Sequence, residues 1–92
     1  NKGTSLLKLL DYWGIAHDAV ITAGDSLNDL PLFTTGLKSI VVGNAESALK
    51  QKCQDMPHVF QSQYHGVAGI LEGFDYWNVN FQLQTGNLHN VC

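Results

Sequence analysis

Arginine is absent from this chain: all five basic residues are lysines, at positions 2, 8, 38, 50 and 52. A phosphate here cannot be gripped by a bidentate guanidinium fork, so lysine, backbone N–H groups or a metal must serve instead. The formal net charge is −3, which argues against general binding to nucleic acid or to an anionic membrane surface. No apolar run approaches the roughly 20 residues that cross a bilayer, and no signal peptide opens the chain. Cysteine is scarce, and Cys53 and Cys92 show no Cys-x-x-Cys spacing. They read as free thiols in a reducing, cytoplasmic compartment, with a single disulfide between them as the alternative. The histidines do not cluster: His17 suits a surface turn, His58 and His65 flank a strand, and no His-x-x-x-His or mixed His/Cys pattern supports zinc. Neither a Gly-x-Gly-x-x-Gly fingerprint nor a Walker loop occurs, and residue order alone supports no Ser/His/Asp grouping.

Ninety-two residues make one small domain at most. The hydrophobic fraction, 45%, is that of a globular protein. A chain this short buries a modest share of its surface, so an isolated α/β layer structure would be marginally stable. It opens on Asn1-Lys2-Gly3 rather than methionine, and a fragment is the expectation.

The pattern along the chain is α-β-α-β-α-β-α. From Thr4 to Trp13, Leu6, Leu7, Leu9, Leu10 and Trp13 recur at spacings of three and four. This predicts an amphipathic helix with Lys8 and Asp11 outward. Thr4 or Ser5 can cap its start, Gly14 fits just past its end, and the stripe Leu6, Leu9, Leu10 and Trp13 reads as core. Residues 19–23 are short, apolar and β-branched, as suits a buried strand. Residues 29–34 form a short helix with Pro31 in its first turn. A second buried strand spans 39–42, a helix 45–52, and a short third strand includes Val59 and Phe60. A closing helix runs from His65 to Tyr76 with Val67, Ile70, Leu71 and Phe74 on one face, weakened by Gly66, Gly69 and Gly73. Alternating strands and helices predict an α/β fold with a partial Rossmann-like parallel sheet, right-handed crossovers and flanking helices. Three strands are few for such a sheet, so a partner segment is expected outside these residues. Residues 1–77 form the core piece, and 78–92 read as an irregular tail or truncated extension.

Chemistry concentrates in Gly24-Asp25-Ser26-Leu27-Asn28-Asp29, directly after the first strand. The carboxyl ends of parallel strands are where open α/β sheets bind ligands. A carboxylate there suits Mg²⁺, which takes oxygen ligands and keeps several waters. Blander readings stand beside this one. Asp25 or Ser26 serves equally well as a turn residue or helix cap. Asp29 in a first helical turn is stabilising without any function, and Asn28 tolerates a left-handed turn conformation. Lys2 opposes the dipole of the helix it precedes, which favours an anion-binding role over that of a solvated terminal lysine.

Lys2-Gly3 followed by Gly24-Asp25-Ser26-Leu27-Asn28-Asp29 resembles the C-terminal half of haloacid dehalogenase superfamily phosphatases. The resemblance is greatest to the branch (class IIB) that includes sucrose-phosphate phosphatase. Val41-Val42-Gly43-Asn44-Ala45 and Gly66-Val67-Ala68-Gly69-Ile70-Leu71-Glu72-Gly73 fit the same pattern, so the resemblance spans residues 1–77. It implies an Mg²⁺-dependent phosphomonoester hydrolase acting on a phosphorylated sugar or glycoside through an aspartyl-phosphate. In that scheme Lys2 neutralises the phosphoryl group, Asp25 ligates Mg²⁺, Asn28 contacts a phosphate oxygen, and Asp29 supports both the metal and Lys2.

The departures carry equal weight. The family's nucleophile lies in an Asp-x-Asp motif that does not occur here, and the substrate-selecting cap is absent. Leu27 stands where relatives often carry glycine. The missing N-terminal core half and cap of the same protein are therefore the implied partners, and the isolated chain is expected to show no turnover. Two alternatives remain. One is a non-catalytic, regulatory phosphatase-like module fused to a glycosyltransferase. The other, less favoured, is a piece of a P-type ATPase phosphorylation domain, against which stand Ser26 and the closing helix.

Overall fold

The computed structural model describes residues 1–85. Helix α1 spans Lys2–Trp13. Its N-cap is Asn1 rather than Thr4 or Ser5: Asn1 Oδ1 accepts the Thr4 N–H at 2.9 Å, and the Thr4 side chain reciprocates on the Asn1 backbone. The helix therefore starts earlier than its apolar periodicity indicates, because a cap is chosen by side-chain geometry rather than by hydrophobicity. Gly14 ends it at φ 70°, a left-handed conformation that glycine adopts without steric cost.

A 3₁₀ turn at His17–Ala19 leads into strand β1, Ile21–Gly24. The rest of the order is a 3₁₀ turn Leu27–Asp29, α2 Leu30–Phe33, β2 Lys38–Val41, α3 Ser47–Cys53, β3 Val59–Gln61 and α4 Gly66–Thr85. The three strands lie side by side as β1-β2-β3, all parallel. Register pairs Thr22 with Ser39, and Ser39 with Val59. The α/β fold with a parallel sheet and flanking helices is thus as the residue pattern implied.

Period-two alternation along β2 sends neighbouring residues to opposite faces. Val41 joins Phe33, Val42, Ala45, Leu49, Cys53 and Val59 in one buried cluster, which brings α2 and α3 together with the strands. Ile40, fully buried, meets α4. Across the β1–β2 pair, the Thr22 and Ser39 hydroxyls are hydrogen-bonded at 2.7 Å, which satisfies two buried polar groups.

Helix α4 packs on a different face from the one its apolar residues indicate. Of the expected face, Ile70 packs against the core cluster but Val67, Leu71 and Phe74 are exposed, while Gly69, Gly73 and Trp77 are buried. A Cβ on Gly73 would stand 2.4 Å from Ile40 Cγ1, and one on Gly69 2.5 Å from the Tyr64 carbonyl oxygen. The glycines let the helix backbone lie directly on the sheet, and this close packing outweighs their poor helix propensity. Trp77 then reaches in to donate its Nε1–H to the Ser39 carbonyl at 2.9 Å. The helix also continues beyond Tyr76 to Thr85, so residues 78–85 are helical. The rest of the expected irregular tail, with Cys92, lies outside the described residues.

The leucine stripe of α1 is a second correction. Leu10 is buried, but Leu9 and Trp13 are 43% and 61% exposed. The helix docks on α2 through Gly3, whose missing Cβ would meet the Pro31 carbonyl oxygen at 2.2 Å. Toward the C-terminal end only Leu10 is covered, and Leu9, Tyr12 and Trp13 stay exposed among the described residues. No helix among the described residues is long and apolar enough to cross a membrane.

Candidate functional site at the carboxyl end of the sheet

Strand β1 ends at Gly24, and the chain turns at once through Asp25 and Ser26 into the 3₁₀ turn Leu27–Asp29. This turn folds around the carboxylate of Asp29. Its Oδ2 accepts the backbone N–H groups of Asp25 at 3.1 Å and Ser26 at 3.2 Å. Its Oδ1 accepts from Lys2 Nζ at 3.3 Å, across 27 residues of sequence. Burial alone would push the Asp29 carboxyl group up. The two backbone N–H groups, with the hydrogen bond and charge of Lys2, outweigh that effect and hold it below its ordinary value.

Three of the four residues singled out from the sequence therefore meet here. Asp29 is the organiser, Lys2 is its cationic partner from the first turn of α1, and Asp25 is tied in through its backbone. The Asp25 side chain is exposed and has no hydrogen bond among the described residues. Asn28 is exposed on the same turn, and its carboxamide has no partner among them. The geometry thus separates the acidic roles: Asp29 has both oxygens committed, and Asp25 has both available. The capping reading of Ser26 also has a physical basis, since Ser26 and Asp29 form a reciprocal capping box around the 3₁₀ turn.

Sequence reading missed two participants. A Cβ on Gly24 would lie 2.6 Å from Asp29 Oδ2, so glycine is the residue that lets the organising carboxylate close over the strand end. Glu46, which falls inside the helix expected over 45–52, accepts the Leu27 N–H on Oε1 at 2.8 Å. Its own N–H donates to the Asp25 carbonyl at 2.9 Å. Nothing in local spacing marks a contact that bridges 19 residues. Next to it, Asn44 Oδ1 accepts the Gly66 N–H at 3.0 Å, and the Gly43 N–H donates to the Tyr64 carbonyl at 2.7 Å. The connection after β2 thereby joins the loops that follow β1 and β3. The histidines stay apart from this site: His17 pairs with Asp11 at 2.9 Å, and His58 Nε2 lies 2.6 Å from the Phe33 carbonyl oxygen.

A cation fits one part of this arrangement. Mg²⁺ binds proteins through one or two carboxylates and fills its remaining positions with water and phosphate oxygens. The Asp25 carboxylate, exposed and without a hydrogen bond among the described residues, has the chemistry such a site requires. Among the described residues no group of three or more His, Cys, Asp or Glu side chains could hold a metal by itself, so further ligands would come from water, substrate or other segments.

Comparison with known proteins places the chain in a family. The family model for sucrose-6F-phosphate phosphohydrolase matches residues 1–78. Over 74 residues the chain is 42% identical to a glucosylglycerol-phosphate synthase of Pseudomonas anguilliseptica, covering 80% of this chain and 10% of that one. Over 75 residues it is 32% identical to a phosphoglycolate phosphatase of Nitrosopumilus maritimus, covering 82% of this chain and 30% of that one. The crystal structure of Thermoplasma acidophilum 0175 shares the fold with a TM-score of 0.64 at 24% identity, over 86% of this chain and 33% of that one. The chain thus spans a third or less of each of these proteins. The family model's match over most of the chain makes it a member of the sucrose-6F-phosphate phosphohydrolase family of haloacid dehalogenase-like phosphatases.

Proposed function

We propose that this chain is the metal-and-phosphate half of an Mg²⁺-dependent phosphomonoester hydrolase acting on a phosphorylated sugar or glycoside. The observation that carries the reading is the pairing of Lys2 with Asp29 beside the free carboxylate of Asp25. It brings the Lys2 ammonium from α1 to a turn at the carboxyl end of a parallel strand, where the Asp25 carboxylate has no hydrogen bond among the described residues. Phosphoryl transfer depends more on charge neutralisation and positioning than on covalent power from the protein.

In this reading Lys2 presents its ammonium to the phosphoryl oxygens, and Asp29 holds that ammonium in place. Asp25 supplies the carboxylate for the metal, with Asp29 supporting that position from behind through the Asp25 N–H. Asn28 offers amide N–H donors to a phosphate oxygen. The bound cation would add electrostatic stabilisation of charge on the transferring group. The nucleophilic aspartate and the cap that selects the sugar belong to segments outside these residues. A cytoplasmic location accords with the buried thiol of Cys53.

A second reading has its own support. The 42%-identical relative is named a synthase rather than a phosphatase, and the match covers 10% of it. A phosphatase-like module attached to a glycosyl-transferring enzyme would give such a match without requiring hydrolysis. Phosphate release from sucrose 6-phosphate and glucosylglycerol phosphate, measured with and without Mg²⁺, separates the two. Release by the complete parent protein, abolished by Asp25→Ala, supports the hydrolase; its absence there supports the module. Mg²⁺-dependent turnover by these 92 residues alone, abolished by the same substitution, would overturn the half-site reading.

A further inference from the structure

Glu46 stands at the N-cap position of α3, yet its carboxylate makes no capping bond to its own helix. It reaches across the sheet end to the Leu27 N–H, while its backbone N–H holds the Asp25 carbonyl. The two contacts grip the peptide units on either side of Ser26, in the middle of the turn that carries Asp25 and Asn28. Asp29 holds the same turn from within, through the N–H groups of Asp25 and Ser26. The turn is thus clasped between two carboxylates, one its own and one from the connection after the neighbouring strand.

We propose that Glu46 is a positioning residue for the cation site. Its hydrogen bond to Leu27 fixes the turn so that the Asp25 carboxylate is presented in one orientation. This inference rests on the proposed metal role of Asp25. The physical basis is that an exposed turn with free side chains loses conformational freedom when it binds a cation, and a clasp made beforehand lowers that cost. Loss of a hydrogen-bond partner behind a metal ligand typically costs about 10- to 100-fold in metal affinity. Glu46 is not cast as a ligand, because the oxygen facing the turn is already engaged by Leu27.

The distinction is testable with Mn²⁺ alone as the probe, on the complete parent protein. Amide NMR reads both the paramagnetic broadening of residues 25–28 and the hydrogen exchange of the Leu27 N–H. In the unaltered chain Mn²⁺ broadens these signals first, and Asp25→Ala removes the effect. Glu46→Ala raises the Mn²⁺ concentration for half-broadening about tenfold, the lower end of what losing such a partner costs, and speeds Leu27 exchange. Glu46→Gln, which keeps the acceptor oxygen, stays within about twofold of the unaltered chain, since an exposed charge by itself contributes little. Equal half-broadening in the unaltered chain and Glu46→Ala overturns the proposal. So does an equal loss in Glu46→Ala and Glu46→Gln, which would make Glu46 a ligand or a bulk charge. Absence of broadening in the unaltered chain overturns the metal reading of the turn, and with it the role of Glu46. Leu27 exchange unchanged by Glu46→Ala overturns the clasp independently of any metal, so the two failures are distinguishable.

Discussion

Gly24 and Asp29 are fitted to each other: the space a Cβ on Gly24 would fill is occupied by the carboxylate of Asp29, 2.6 Å from the Cβ position at Oδ2. That carboxylate holds two backbone N–H groups and Lys2, so the glycine sets how closely the organising group lies over the strand end. Because the contact is to a side chain whose own bonds fix it in place, the clash cannot be relieved by simple rotation.

Gly24→Ala is therefore expected to destabilise the chain by about 1–3 kcal/mol, the range for overpacking a well-fitted site. Urea unfolding of the two proteins checks this. The same substitution at Gly14, where nothing lies within 4 Å, is the control for strain at a left-handed position without a clash.

Asp29→Asn is expected to cost about 1.5–3 kcal/mol at neutral pH, the range for charge-assisted hydrogen bonds, and the cost should shrink in acid. The sign follows from the lowered pKa of Asp29 in the folded state. Its stabilisation is complete above the ordinary carboxylate value of about 3.9 and is lost as pH falls toward the folded value. Unfolding midpoints at pH 7 and pH 3 should converge for the two proteins. A gap that stays constant across this range would show that the charge of Asp29 contributes nothing.

Asp25→Ala is expected to leave stability within about 0.5 kcal/mol, as for surface side chains without partners, while abolishing Mn²⁺-induced broadening of residues 25–28. A large stability loss would mean that the Asp25 side chain has a structural task that its free position does not indicate.

Gly73→Leu should be severely destabilising, because even a Cβ would come within 2.4 Å of buried Ile40. Leu71→Ala should change stability by less than about 1 kcal/mol, since Leu71 is 58% exposed. Paired thermal melts would test this order, which is the reverse of what apolar periodicity along α4 implies.

What could be read directly was local or repeated. The alternation of β-branched runs with helical spacings carried the α/β class, because parallel strands buried on both faces require apolar runs joined by crossovers. The turn after β1 stood out because Gly24, Asp25, Ser26, Asn28 and Asp29 fall within six residues, a density dictated by backbone geometry and ligand chemistry over a short stretch. Lys2 entered through its place ahead of the first helix and through the family resemblance, and the fold brings it to Asp29.

Long-range packing was beyond such reading. Glu46 and Leu27 meet only because β1 and β2 are neighbours in register, which the residues around Glu46 do not encode. The buried face of α4 was misjudged because hydrophobic periodicity assumes that side chains fill the gap between helix and sheet. Here Gly69 and Gly73 abolish that gap, and Ile40 fills the groove from the other side. The sequence by itself determined the order of elements and the chemistry of the turn, because both depend on neighbouring residues. Only the tertiary structure decided which groups hold the turn and which face of each helix is buried, because those depend on distances between segments far apart in the chain.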